Sequence, residues 1–171
     1  MEVIALQGKG SIGKSTVLKI FLAEILDKYS INATTYDLQN VCSCGVLSKL
    51  ELESEINNEN VAKNNSSMVN NHTVTFGINN KKIGLTTYGD TEWHIRQAIK
   101  CFKGCDIVFC ACRTRGKGCK YLKETYDSLI WVGKAYFKSK CSPLSSRLIE
   151  FTNKKQVEIL WEIFKTLLSK D

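Results

Sequence analysis

The sequence lacks the features that would place it in a membrane-spanning or secreted class. No apolar run in its 171 residues is long enough to span a bilayer. The first residues enter an apolar strand pattern directly, without the basic segment and longer apolar segment of a signal peptide. We therefore expect a cytoplasmic protein without a transmembrane segment, folded as a single domain over residues 1–171.

The chain also lacks the cysteine spacing of a structural zinc site. None of its eight cysteines forms the paired C-x2-C pattern. In a cytoplasmic protein we predict reduced thiols rather than disulfides. Cys110 and Cys112 lie in an apolar stretch, where cysteine acts as a small hydrophobic residue. The cysteines therefore indicate packing rather than metal binding.

The strongest positive signal lies near the start, where an apolar strand pattern over residues 3–6 runs into a glycine-rich loop. Residues 8–15 match G-x-x-x-x-G-K-[ST], and an amphipathic helix pattern follows directly. Glycines let the backbone turn its N–H groups inward, and with the helix N-terminus these form a phosphate site. The predicted nucleotide-binding residues are Gly8, Lys9, Gly10, Ser11, Ile12, Gly13, Lys14, Ser15 and Thr16.

Three residues at the end of this loop have distinct predicted roles. Lys14 is a point charge that can reach the β- and γ-phosphates of a nucleotide. The Ser15 hydroxyl is suited to ligate Mg²⁺, and Thr16 is a weaker substitute. The sequence therefore predicts a P-loop that binds a nucleoside triphosphate, with ATP the expected one, together with Mg²⁺.

One residue of the loop, Lys9, indicates a particular type of P-loop. Because Lys9 follows the first glycine, the stretch from Gly8 to Thr16 resembles the deviant Walker A loop of the ParA/MinD partition ATPases and the nitrogenase iron protein. The resemblance implies a nucleotide-dependent homodimer in which Lys9 reaches the phosphates bound by its partner. Ser11 departs from the family pattern, which usually has glycine there, and the resemblance covers only about residues 1–30. Alternatively, Lys9 is a solvated loop residue.

The rest of the pattern predicts an α/β fold, namely the three-layer P-loop NTPase fold with a mainly parallel sheet, an added β-hairpin and helices on both faces. A polar stretch over residues 57–71 predicts a mobile surface loop, acting as a lid or as a passive insertion. Pro143 predicts a break before the last helix. Strands are expected over 33–37, 73–78, 82–88, 106–112 and 128–134, and helices over 46–56, 93–102 and 153–170.

Two acids at predicted strand ends are candidates for the metal site. Asp37 ends the second strand pattern, and it is either a Mg²⁺ ligand or general base, or a residue that favours a turn. Asp90 follows the hairpin in the Gly89–Glu92 stretch, where a Walker B or switch II element would fall. Asp90 could hold Mg²⁺ or orient the attacking group, and either Asp90 or Thr91 could cap the next helix.

Two arginines follow the clearest internal strand pattern. Arg113 and Arg115 lie in the Arg113–Gly118 stretch, at the sheet edge where ligands of α/β proteins bind. A guanidinium matches phosphate oxygens and can stabilise charge in phosphoryl transfer, so both are candidate catalytic residues with Lys9, Lys14 and Asp90. The stretch resembles the lid of nucleotide kinases in composition, and it could equally be a solvated loop.

These residues favour an NTPase, a hydrolase of ATP that switches shape with its nucleotide state and signals to a protein partner. One alternative is a kinase that transfers the γ-phosphate to a nucleotide or other small molecule. Another is a regulatory module associated with nucleic acid, suggested by the net charge of +7 although no long basic run is present. No N-K-x-D motif supports a preference for guanine.

Overall fold

A computed structural model of the chain describes residues 1–9, 13–61, 70–134 and 142–170. Within these residues it contains seven strands and five helices, numbered in chain order. The strands are β1 (Glu2–Gly8), β2 (Ala33–Asp37), β3 (Cys42–Leu47), β4 (Thr73–Ile78), β5 (Lys81–Thr86), β6 (Ile107–Arg113) and β7 (Leu129–Gly133). The helices are α1 (Lys14–Tyr29), α2 (Lys49–Val61), α3 (Glu92–Cys101), α4 (Lys117–Thr125) and α5 (Ser142–Leu168).

All seven strands form one sheet in the order β3-β2-β4-β5-β6-β1-β7. The four strands β5, β6, β1 and β7 run parallel to one another, whereas β4, β2 and β3 each pair antiparallel with their neighbours. The α/β class is confirmed, and the sheet is mixed, because parallel pairing is confined to one half of it. In that half β1 is central, with Leu6 level with Ala111 of β6 and Val132 of β7.

Helices cover both faces of the sheet, as predicted. On one face α1, α2 and α5 enclose a core that includes Phe21, Phe109 and Phe164, whose rings meet edge to face. On the other face α3 and α4 cover a smaller core that contains Cys110 and Cys112. Strand residues contribute alternately to the two cores, since successive side chains of a strand point to opposite faces.

The predicted hairpin is confirmed as β4 and β5. Asn79 and Asn80 form its turn with φ of 50° and 61°, in the left-handed region that asparagine tolerates. Strands β2, β6 and β7 and helix α3 also lie within two residues of their predicted positions. Thr91 caps α3 by accepting a hydrogen bond from the backbone N–H of His94.

Other predicted elements differ from the structure. Strand β3 was not predicted, because its residues are almost all exposed at the sheet edge and lack an apolar alternation. Helix α4 replaces the end of the expected basic loop, and its short apolar stripe gives a weak pattern. Helix α5 begins at Ser142, so Pro143 lies in its first turn, where the missing N–H is not needed, and does not break a helix.

The polar segment is also partly different from the prediction. Helix α2 starts at Lys49 rather than at residue 46, and it continues through Val61, so residues 57–61 are helical. The remainder of the expected mobile loop, residues 62–69, lies outside the described residues. No helix in the described part of the chain is long and apolar enough to cross a membrane.

Candidate functional site

A cavity of about 450 Å³ opens where the carboxyl ends of the parallel strands meet the first turn of α1. This is the edge at which parallel α/β sheets bind ligands. The cavity brings the predicted loop residues together with the stretch that follows β5. Its lining consists of Gly13, Lys14, Ser15, Thr16, Asn71, Thr87, Tyr88, Gly89, Asp90, His94 and Ala111.

Lys14 is nearly buried, with 6% of its surface exposed. Its ammonium donates hydrogen bonds to the carbonyl oxygens of Gly8, at 3.2 Å, and Lys9, at 2.7 Å. Burial lowers the pKa of Lys14, an effect that the nearby carboxylate of Asp90 opposes and the Arg113 guanidinium reinforces. Among the described residues no carboxylate forms an ion pair with Lys14, so its charge is held by neutral carbonyls at the edge of the cavity.

The Ser15 hydroxyl connects the start of α1 to the end of β5. It donates to the carbonyl oxygen of Thr87 over 3.0 Å. Thr87 is fixed in turn by His72, since the backbone N–H of each residue donates to an oxygen of the other. The Ser15 oxygen therefore faces the cavity with its acceptor electron pairs available to a cation or to water.

Gly89 brings the stretch after β5 into direct contact with β6. A Cβ at this position would lie 2.2 Å from the carbonyl oxygen of Ala111, so any larger residue would force the backbone away. This close approach places the next residue, Asp90, at the cavity. The Asp90 carboxylate is 63% exposed and accepts a hydrogen bond from Nε of Arg113 over 3.2 Å.

The basic stretch after β6 lines a second cavity of about 390 Å³. Arg113, Arg115 and Lys117 contribute to it, together with the exposed ring of Trp93. Gly89 and Asp90 line both cavities, so the two meet at this loop. The structure therefore brings Arg113 and Arg115 to one cavity with Asp90, and Arg113 pairs with it directly.

Asp37 lines neither of these two cavities. Three strands, β4, β5 and β6, separate β2 from β1, and Asp37 does not line the cavity around Lys14. Its carboxylate accepts hydrogen bonds from the Gln39 backbone N–H, at 2.9 Å, and the Asn40 side chain, at 2.5 Å, which forms the turn into β3. The structure therefore favours the turn role of Asp37 over the metal role. Strand β2 ends at the same edge of the sheet as the parallel strands, but three strands separate it from β1.

The other predicted loop residues have defined places where the structure describes them. Gly8 ends β1 and is buried, and Lys9 is exposed. Gly13 precedes α1 with φ of 78°, a left-handed conformation that favours glycine. Gly10, Ser11 and Ile12, which were predicted to bind phosphate, lie outside the described residues.

Several cavity residues were missed in the sequence. Tyr88 and His94 line it with their ring centroids 5.0 Å apart, and burial raises the pKa of Tyr88 with a smaller contribution from Asp37. Asn71 enters from the segment before β4. The position of Tyr88 between a strand end and Gly89 was a usable signal, whereas Asn71 had none.

The few oxygen ligands at this site suit a hard cation that is coordinated mainly by the phosphates of a bound substrate. No cluster of three or more His, Cys, Asp or Glu side chains that could hold a metal ion occurs in the described ranges. One serine hydroxyl and one carboxylate match Mg²⁺, which keeps several waters and binds mainly through substrate phosphates. Ser15 and Asp90 are therefore the residues that could hold Mg²⁺ here.

Comparisons of the chain with protein-family models, curated proteins and solved structures find no match. Similarity therefore does not show the family of the chain.

Proposed function

We propose that this chain is a P-loop NTPase that binds Mg²⁺ and a nucleoside triphosphate, with ATP the expected one, in the cavity beside Lys14. The observation that carries the proposal is the convergence of Lys14, Ser15 and Asp90 around one cavity at the carboxyl ends of parallel strands. Among the described residues the buried ammonium of Lys14 is held by two backbone carbonyls, and it can exchange them for phosphate oxygens, which are far better partners for its charge.

Around the terminal phosphate the chain's own residues have complementary roles. Lys14 and the N-terminus of α1 attract the phosphates, while the Ser15 oxygen and the Asp90 carboxylate contribute metal ligands. Mg²⁺ held by these residues would neutralise charge on the phosphates. Arg113, which is now paired with Asp90, is near enough to stabilise charge that develops on the transferred group.

Hydrolysis would make the chain a nucleotide-dependent switch. The stretch from Thr87 to Asp90 contacts both Ser15 and Ala111. A change at the terminal phosphate would therefore shift this stretch and, through it, the positions of β5, β6 and α3. Lys9 is exposed, as a residue that reaches a second copy of the chain must be, and its carbonyl oxygen accepts a hydrogen bond from Lys14. We propose that Lys9 acts in this way within a nucleotide-dependent homodimer.

The experiment follows the γ-phosphate of labelled ATP in the presence of Mg²⁺. The chain is incubated with and without a panel of nucleosides, nucleotides and small metabolites, and free phosphate is separated from labelled products. Free phosphate that depends on both Mg²⁺ and Lys14 is the expected result. Absence of both free phosphate and labelled product would contradict phosphoryl chemistry.

A kinase is the second candidate function, because a basic cavity adjoins the proposed nucleotide site. The cavity lined by Arg113, Arg115 and Lys117 shares Gly89 and Asp90 with the first cavity, and its positive charge suits an anionic acceptor. In the same experiment a kinase would place the label on one compound of the panel, with little free phosphate.

A further inference from the structure

A second lysine, Lys134, is buried near the start of α1. Lys134 directly follows β7, and only 9% of its surface is exposed. Its backbone N–H donates to the carbonyl oxygen of Gln7 over 2.7 Å, which continues the pairing of β7 with β1. Lys134 therefore leaves the sheet level with the start of the loop after β1.

The Lys134 ammonium has an unusual set of partners for a buried charge. It donates to Oδ1 of Asn153 on α5 over 2.7 Å, and Asn153 is itself 8% exposed. In the described part of the chain no carboxylate pairs with Lys134, and burial lowers its pKa. An ammonium has three donors, so a single amide oxygen leaves donor capacity for an anion.

The pair of Lys134 and Asn153 lies close to Gly13, which precedes α1. The same Asn153 oxygen lies 3.8 Å from where a Cβ of Gly13 would be, at the start of α1. Strand β1 has β6 on one side and β7 on the other, so Arg113 and Lys134 leave the sheet on opposite flanks of Gly8. The flank with Arg113, Asp90 and Ser15 carries the residues suited to the metal and the terminal phosphate.

A purely structural role explains this arrangement poorly. A buried cation with a neutral partner costs free energy, and an apolar side chain of similar length would join β7 to α5 without that cost. A bound anion would compensate the charge.

We propose that Lys134, held by Asn153, is a second cation of the phosphate site and binds the phosphate next to the nucleoside. This inference rests on the proposed nucleotide binding, and it adds the direction in which the bound nucleotide lies. The terminal phosphate lies toward Asp90, and the nucleoside end lies toward β7. The ligand class is therefore any nucleotide with a 5′-phosphate, because the contact does not require a second or third phosphate.

The test compares the affinities of AMP, ADP and ATP, with Mg²⁺, for the wild type and Lys134→Met. Loss of a hydrogen bond to a charged group should weaken all three by a similar factor, about 10- to 100-fold. GTP should be weakened to the same extent as ATP, since the contact is made to phosphate and not to the base. A second variant, Asn153→Asp, should give a similar loss, because its carboxylate would neutralise Lys134 while preserving the connection to α5.

Lys120→Met is the matched control, since Lys120 is exposed on α4, and it should bind like the wild type. Thermal unfolding of each variant measures whether the fold is kept. Unchanged affinities with a lower melting temperature would show a structural role and overturn the inference. So would a loss restricted to ATP, or to one base. If the wild type itself bound no nucleotide, the proposed function would fail first and this inference with it.

Discussion

The two halves of the sheet present different chemistry at their strand ends. In the parallel half, the segments after β1, β5, β6 and β7 bring Lys14, Asp90, Arg113 and Lys134 to the edge where the cavity opens. In the antiparallel half, the Asp37 carboxylate accepts hydrogen bonds within the turn into β3, and the edge strand β3 exposes Cys42 and Cys44. Parallel strands end at one edge, so their loops can share a ligand, whereas tight hairpins use their end residues for turning.

The largest expected effect tests whether the parallel half acts across two copies of the chain. If Lys9 reaches the partner's phosphates, Lys9→Ala should lower ATP turnover by a factor on the order of 10²–10³ while ATP affinity is kept. Steady-state phosphate release and equilibrium titration measure the two quantities. Turnover at the wild-type rate would contradict a contact of Lys9 with the partner's phosphates, and Lys9 would then be a solvated loop residue.

The two acids allow a direct test of the difference between the halves. Asp90→Asn should lower Mg²⁺-dependent turnover on the order of 10- to 100-fold, because it removes a metal-site carboxylate. Its exposed pair with Arg113 contributes little to stability, so the fold should be kept. Asp37→Asn is the matched control with turnover unchanged. An equal loss in both variants would contradict the assignment of the site to the parallel half.

A smaller effect is expected from two glycines, one in each half. Gly89→Ala should lower the free energy of unfolding by about 1–3 kcal/mol, since its Cβ would overlap the backbone of Ala111. Gly77→Ala in β4 is the control, because its nearest atom would be 3.9 Å away in ordinary contact. Urea unfolding of both variants checks this. Equal stabilities would mean that Gly89 does not approach β6 closely.

A further effect concerns thiols at high pH. Burial raises the pKa of Cys105 to about 11 and of Cys112 to about 12, and it also raises that of Cys110. Since the unfolded chain releases these protons from pH 9 upward and the folded chain retains them, they make stability fall as pH rises. The lowered pKa values of Lys14 and Lys134 act in the opposite direction, so a variant isolates the effect better than the wild type alone.

Cys112→Ala should therefore lose stability less steeply between pH 9 and 11 than the wild type does. The difference in slope approaches about 1.4 kcal/mol per pH unit, the value for one proton. Cys44→Ala, at an exposed position in β3, should keep the wild-type slope. Unfolding free energies measured across this pH range provide the comparison, and identical slopes for all three proteins would contradict burial of Cys112.

The sequence predicted six of the seven strands, in both halves of the sheet, but neither strand β3 nor helix α4, for physical reasons. Buried parallel strands such as β6 are almost wholly apolar, and the glycine loop before Lys14 combines several local requirements in one motif. Strand β3 has no buried face to impose alternation, and helix α4 is short. The separation of Asp37 from β1 by three strands could not be predicted, because strand order, which sets what a strand end faces, is not a local property.

The site shows the same limit. Lys14, Ser15 and Asp90 were predictable because loop chemistry and strand-end position are visible in the chain. Lys134 and Asn153 were not, since one follows an ordinary strand and the other lies within a long helix. Packing of α5 against the end of β7 brings them together beside Gly13, at the start of α1.

The central claim is that the cavity beside Lys14 binds the phosphates of a nucleoside triphosphate. The most direct measurement is a calorimetric titration of Mg·ATP into the wild type and into Lys14→Met, with thermal unfolding to verify that both fold. We predict one binding event for the wild type and an affinity lower by at least about 100-fold for the variant. Equal affinities in the two folded proteins, or no binding by the wild type, would contradict the account.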